Sequence, residues 1–190
     1  YGDNQFALDT VRYQGGGRVS FACPPANQPG RYSVVLQEDK NVDFLFAGSP
    51  VSMTIRSGPL PASVTIEEGE DAKLMYDYMK FMDDMREKRA PFDAILSSES
   101  TSPEEKNDAE ESIIALGTEV LAQQDVIMVE HPASLMSVYL KMVNEVEYPE
   151  VPDGVLNPEV WATEEYRRRF WERVDFSNPA VVRDPIITML

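Results

Sequence analysis

The residues best suited to chemistry are a single cysteine, Cys23, and a single histidine, His131. A reactive thiolate needs a nearby cation, helix N-terminus or metal, and neither a CxxC partner nor a local basic residue accompanies Cys23. One histidine leaves no second imidazole for a metal pair, and its place before Pro132 favours capping or packing over catalysis as a lone base. The sequence therefore predicts a structural cysteine and no catalytic, metal or cofactor site.

Paired acids and a glycine run are the next candidates for chemistry. The pairs Asp83-Asp84 and Glu110-Glu111 lack EF-hand spacing, and adjacent residues on a helix do not face each other. They are typical of a solvated helix face. The glycines at 15–17 precede neither a GK[ST] nor a GxxG pattern, so a turn is favoured over a phosphate-binding loop.

Two further clusters leave alternatives open. Three consecutive arginines at 167–169 either neutralise nearby acids or bind a carboxylate-rich partner, and the first interpretation is favoured. A methionine stripe is either ordinary core or a soft, adaptable binding groove, and core is favoured. The stripe consists of Met75, Met79, Met82 and Met85.

The composition is that of a folded, acidic chain. Its 190 residues hold 33 acids and 17 bases, a net charge of −16, with 43% hydrophobic residues. The charge argues against nucleic-acid partners and anionic membrane surfaces, which attract basic faces. Since no run of 18 apolar residues occurs, we expect no transmembrane segment. No signal peptide is visible, and both ends resemble the ends of a trimmed chain.

The excess charge divides the chain into two parts. Residues 1–66 hold five acids and five bases, whereas residues 67–112 have a net charge of −9 and residues 113–190 a net charge of −7. Hydrophobic periodicity changes from two residues to helical spacing at the same point. The pattern predicts an α+β protein with an antiparallel β-sandwich-like domain over 1–66 and an α-helical bundle over 67–190.

Short alternating runs predict the strands of the first part. They begin near Phe6 and again near Val19, and later runs end at the Pro59–Pro61 loop before a last run at Val64. Because six short strands make a small core for a sandwich, we expect further strands upstream of Tyr1.

Helical spacing and breakers predict the elements of the second part. The first helix starts after Gly69 and should end near Arg89, because the Ala90-Pro91 step disfavours continuation. Ser102 begins the second helix as N-cap of a capping box that Glu105 closes. This helix should run to Glu130, with Ala109, Ile113, Leu116 and Val120 along one face. Pro132 is expected to open a third helix, and a Pro- and Gly-rich loop over 148–158 leads to the last.

Two longer patterns resemble a known domain arrangement. The first combines Leu-Asp-Thr-Val at 8–11, Val-Ser-Phe at 19–21 and Pro-Gly-Arg-Tyr at 29–32, and it continues through 70–78. It resembles the β-rich N-terminal domain of unknown function in some thioredoxin-like proteins of Gram-negative bacterial envelopes. The second is Phe-Trp-Glu-Arg-Val-Asp-Phe-Ser-Asn-Pro at 170–179. It resembles the helical linker domain that precedes their thioredoxin-like domain, of the alkyl hydroperoxide reductase and thiol-specific antioxidant type.

The resemblance implies a location and a context, and it carries no catalytic residue onto this chain. Asn178 and Asp184 stand where the family has Asp and Thr, and the CxxC redox domain is not in the sequence. It implies a periplasmic or lipid-anchored protein of the cell envelope. The implied role is an accessory region without cofactor, whose partner is a thioredoxin-like domain or an envelope client protein.

Three functional hypotheses follow. The leading one is a non-catalytic accessory region that positions a redox domain or selects its clients. The second is a stand-alone envelope module for a glycan or peptide ligand, suggested by Tyr1, Tyr13 and Tyr148 in or near loops. The third is an enzyme that uses Cys23 or His131.

Overall fold

The computed structural model describes residues 7–12, 15, 17–21, 29–37, 40–144 and 146–184. Within these residues the chain is a mixed α+β protein with four strands and five helices. The first strands expected from sequence are absent from the described parts of 7–21, where Leu8, Val11, Val19 and Phe21 are exposed. Alternating apolar residues form strands only where a core receives them. Cys23, Tyr1 and Tyr13 lie outside the described residues.

The four strands form two separate antiparallel hairpins. The strands are β1 (Gly30–Gln37), β2 (Lys40–Phe46), β3 (Ser52–Ile55) and β4 (Val64–Glu68). In the first hairpin Val34 lies opposite Val42, and in the second Ile55 lies opposite Val64. Isolated two-stranded hairpins are marginally stable in water, so both depend on packing against the helices.

Two long helices follow the strands and run side by side. They are α1 (Glu70–Ser97) and α2 (Pro103–Glu130), each of 28 residues. The predicted capping box is confirmed, because the Glu105 N–H donates to Ser102 Oγ at 3.2 Å and the Ser102 N–H donates to Glu105 Oε2 at 2.9 Å. Between the helices, Gln124 Nε2 donates to Tyr78 Oη at 2.7 Å.

Three shorter helices complete the chain. They are α3 (Leu135–Val143), α4 (Pro158–Glu172) and α5 (Pro179–Arg183). The side chain of Ser134 caps α3 by accepting from the Ser137 N–H, and that of Asn178 caps α5 by accepting from the Ala180 N–H. Arg31 of β1 and Asp184 after α5 form an ion pair of 3.3 Å, which connects the first hairpin to the last helix.

The two faces of β2 pack into different core clusters. Val42 packs with Val64 and Tyr76 between the hairpins and α1. Leu45, on the opposite face of the strand, packs with α2 and α3 residues that include Ile127 and Leu140. A third cluster joins α3 to the end of the chain through Met142, Val174 and Val181. Three clusters of buried residues thus join the hairpins to the helices.

Two expected helix boundaries are wrong. The first helix does not end near Arg89 but continues to Ser97 with Pro91 inside it. Pro91 removes the N–H that would bond the Glu87 carbonyl, but both residues are exposed, so water can satisfy that carbonyl. The third helix begins at Leu135 instead of Pro132, because Ser134 supplies its side-chain cap.

Gly117 lies in the middle of α2 in open space. A Cβ placed there would have no atom within 4 Å, and its backbone is ordinary helix. Since Gly is about 1 kcal/mol less favourable than Ala inside a helix, we expect Gly117→Ala to raise the free energy of unfolding by about 0.5–1 kcal/mol. Urea denaturation monitored by circular dichroism measures the change. A loss of stability would show that the site is less open than the structure has it.

Candidate functional site

Two clefts meet where α1 begins, and Glu70 and Asp71 line both. One, of about 150 Å³, lies toward the strands and is also lined by Leu45, Val51 and Gly69. The other, of about 290 Å³, is also lined by residues 130–134, at the end of α2 and the approach to α3. We call the second one the junction cleft. It brings His131 together with two carboxylates that are about 60 residues away in sequence.

Asp71 holds the start of α3. Its Oδ1 accepts hydrogen bonds from the N–H groups of Leu135 at 2.6 Å and Met136 at 3.3 Å. Unpaired N–H groups at a helix N-terminus favour an anionic acceptor. Burial raises the pKa of the Asp71 carboxyl above its usual value, and the two backbone hydrogen bonds oppose that shift without cancelling it.

His131 joins the end of α2 to the start of α1. Its Nδ1 lies 2.9 Å from Glu70 Oε1, and its carbonyl accepts from the Ser137 hydroxyl at 2.7 Å. The Glu70 side chain is 73% exposed, so this pair contributes at most about 1 kcal/mol. The position of His131 agrees with the capping or packing role predicted from its sequence context.

The serines near His131 serve the backbone. The fully buried Ser137 hydroxyl donates to the carbonyls of Ile127 and His131. The Ser134 hydroxyl donates to Ser137 Oγ at 3.1 Å and accepts from the Ser137 N–H. A nucleophilic serine needs its base within hydrogen-bonding reach, and neither serine has a hydrogen bond to the imidazole. The polar groups around the junction cleft therefore form hydrogen bonds that hold the end of α2 against the start of α3.

The remaining sequence candidates occupy ordinary positions. Met85 is buried and Met75 packs against the core, while Met79 and Met82 are half-buried. Among the described residues no group of three or more His, Cys, Asp or Glu side chains is arranged to hold a metal ion. The ring of Tyr148 lies 5.9 Å from that of Tyr166, centre to centre.

Two of the three clustered arginines pair with acids of their own helix. Arg168 binds Glu165 and Glu172, and Arg169 binds Glu165 at 3.0 Å. These hydrogen bonds lower the pKa of Glu165 to about 2. The pairs agree with the favoured interpretation, in which the arginines neutralise nearby acids.

An exposed apolar surface on α2 was not predicted from the sequence. Its members share one property, exposure of a large aliphatic side chain on a regular helix: Ile114 (69%), Leu121 (58%), Val126 (45%) and Val129 (78%). Ile114, Leu121 and Val129 lie along one side of the helix, and we call these three residues the outer face of α2. The residues that the sequence assigned to the packed face are covered, as predicted: Ala109 is buried, and Ile113, Leu116 and Val120 are half-buried. The sequence did contain a signal for this surface, because the second half of α2 has apolar residues on both sides of the helix.

The apolar character of α2 also bears on membranes. Among the described helices α2 alone is long and apolar enough, by length and composition, to cross a membrane. A single such helix is weak support for a span, and α2 carries Glu119 and Asp125 within its apolar half. The finding is consistent with the prediction of no transmembrane segment.

Comparison with known proteins identifies no relative. No family model, no curated protein and no solved structure matches the chain. The resemblance to envelope domains that precede a thioredoxin-like domain therefore stays a prediction.

Proposed function

We propose that the chain is a non-catalytic accessory region of a cell-envelope thioredoxin-like thiol–disulfide oxidoreductase, which positions the redox domain or selects its clients. The observation that carries the proposal is the outer face of α2. Large aliphatic side chains that are exposed together on one side of an element mark an interaction site more often than scattered exposed residues do. The periplasmic or lipid-anchored location comes from the sequence resemblance and belongs to the same proposal.

The helix pair has the stiffness that an interaction surface needs. Each long helix extends about 40 Å at 1.5 Å per residue, and the capping box fixes the start of α2. Lys88 pairs with Asp84 at 2.8 Å and Arg89 with Asp93 at 3.2 Å along α1. Such pairs between residues four apart support an exposed helix. The outer face is thus presented on a preformed element, which lowers the ordering cost of binding.

The junction cleft supports a non-catalytic role. Asp71 and Ser137 are occupied by backbone partners, and the histidine pairs with an exposed glutamate. These contacts fix the angle between α1, α2 and α3. The β-sandwich-like form of the first part and the bundle form of the second belong to the proposal as well.

A thiol–disulfide exchange assay tests the absence of catalysis. We expect the chain to reduce insulin with dithiothreitol no faster than buffer does, because Cys23 has no second cysteine with which to cycle. The Cys23→Ser variant is the control and should give the same rate. Turnover that disappears in this variant would contradict the proposal and support an enzyme built on Cys23.

The redox context has its own test in the gene. Sequencing the reading frame on both sides of residues 1–190 should find a downstream CxxC within a βαβ pattern and a lipoprotein signal upstream. In the whole protein, Leu121→Lys should then slow client reduction while the rate with dithiothreitol and a small disulfide is unchanged. A frame without the CxxC domain would overturn the redox context.

A stand-alone binding module is the second candidate. It is favoured by aromatic side chains at the surface near α4, where Tyr148 is 61% and Phe176 53% exposed. The Phe176 ring lies 5.8 Å from that of Trp171. Binding of envelope glycans measured by intrinsic tryptophan fluorescence would support this candidate, and a Trp171→Ala variant is its control.

A further inference from the structure

The outer face of α2 points away from the rest of the described chain. Ile114, Leu121 and Val129 are separated by seven and eight residues, which places them on one side of the helix along about 22 Å. Ile127, which packs in the core, lies on the opposite side of the helix. Among the described residues, Ile114, Leu121 and Val129 each keep more than half of their surface exposed.

The outer face has room for another helix. Gly117 lies between Ile114 and Leu121 with no atom within 4 Å of its Cβ position, and the neighbouring Ala122 is small and exposed. Small residues between larger aliphatic ones let a second backbone approach, so that side chains of one helix fill the grooves of the other. The periodic arrangement favours an amphipathic helix as occupant over an extended strand.

The charged residues of α2 that border the outer face are acidic. Lys106 in the first turn is the only basic residue of α2, and it is followed by six acids. Glu111 lies three residues before Ile114, and Asp125 lies four residues from both Leu121 and Val129, so both acids border the apolar side chains. The six acids are Asp108, Glu110, Glu111, Glu119, Asp125 and Glu130.

We propose that the outer face of α2 binds a basic amphipathic helix of a partner protein. Leucine-like side chains of that helix cover Ile114, Leu121 and Val129, and its lysines or arginines lie against Glu111 and Asp125. A second copy of this chain would place acids against acids, and an anionic membrane would be repelled in the same way. This inference rests on the accessory role proposed above and names its partner surface.

A designed peptide provides a direct test. The probe is a fluorescein-labelled amphipathic helix of leucine and lysine, whose binding to the intact chain is measured by fluorescence anisotropy. We expect Leu121→Lys to weaken binding at least about tenfold, because it removes a buried contact and adds a like charge. Asp125→Asn should weaken binding less and reduce its dependence on salt.

Leu156→Lys is the matched control. Leu156 is 96% exposed in the loop before α4, so the substitution adds the same charge away from the outer face. Affinity of this variant should stay within about twofold of the unmodified chain once screening by salt is included. Circular dichroism melting checks that both variants fold. Equal losses in the two lysine variants, or no binding to the unmodified chain, would overturn the proposal.

The other occupants are outcomes of the same experiment. Self-association in sedimentation equilibrium that Leu121→Lys abolishes would identify a second copy and contradict the proposal. Binding to phosphatidylglycerol vesicles that the same variant abolishes would identify a lipid surface and also contradict it. The gene test of the redox context is independent of this experiment. The peptide can bind even if no CxxC domain is found, and a CxxC domain can be found even if the peptide does not bind.

Discussion

Gly69→Ala is expected to lower the free energy of unfolding by about 3 kcal/mol. Gly69 connects β4 to α1 with φ of +104°, a region that L residues rarely adopt and that costs about 1–3 kcal/mol for a residue with a Cβ. The added Cβ would also lie 2.9 Å from Val51 Cγ2. Backbone strain and steric overlap act together here, which makes the expected loss large for the addition of one methyl group.

A double variant separates the two contributions to the Gly69 effect. In Gly69→Ala with Val51→Ala the overlap disappears, whereas the backbone strain stays. We expect Val51→Ala to reduce the cost of Gly69→Ala by about 1 kcal/mol, which is the usual scale of overpacking. Chemical denaturation of the four chains in the cycle gives the coupling. If Gly69→Ala raised the free energy of unfolding, as is expected for Gly117→Ala, then Gly69 would not have a positive φ at the start of α1.

Local signals predicted those parts of the fold that depend on neighbouring residues. Ser102 and Glu105 are three residues apart, so their capping box could be predicted from the pair alone. The strands of both hairpins followed from alternating apolar residues. The helix end expected at Pro91 was wrong because the energetic cost of a proline inside a helix depends on whether the freed carbonyl is hydrated. That side of α1 is exposed, and its exposure is a property of the whole fold.

The candidate site could not be predicted from sequence in the same way. Asp71 and Leu135 are 64 residues apart, and Glu70 and His131 are 61 apart. Each pair becomes adjacent only because α1 and α2 run antiparallel and α3 folds back at Pro132. The outer face of α2 was hidden for a different reason. A periodicity search finds one apolar face and has no means to tell which of two apolar faces is covered.

Asp71→Ala is expected to lower the free energy of unfolding by about 2 kcal/mol. The N–H groups of Leu135 and Met136 belong to buried residues and would lose their acceptor, at a typical cost of about 1–3 kcal/mol. Glu70→Ala is the matched control, because it removes the neighbouring, exposed carboxylate and should cost less than about 1 kcal/mol. Similar losses in the two variants would show that Asp71 does not hold α3.

The acid dependence of stability tests the same contact. Since burial raises the pKa of Asp71 in the folded state above its usual 3.8, the folded chain keeps a proton that the unfolded chain has already lost. The part of the stability that comes from protonation of Asp71 is therefore complete below pH 3.8 and is lost as pH rises through the folded pKa, whereas the hydrogen bonds from Leu135 and Met136 remain. Asp71→Asn keeps an acceptor oxygen without this titration. The stability of the unmodified chain relative to Asp71→Asn should thus fall as pH rises from below 3.8 through the folded pKa of Asp71, as urea denaturation at each pH would measure. A difference that rises over this range would mean that the hydrogen bonds to α3 outweigh burial and that the folded carboxyl is the stronger acid.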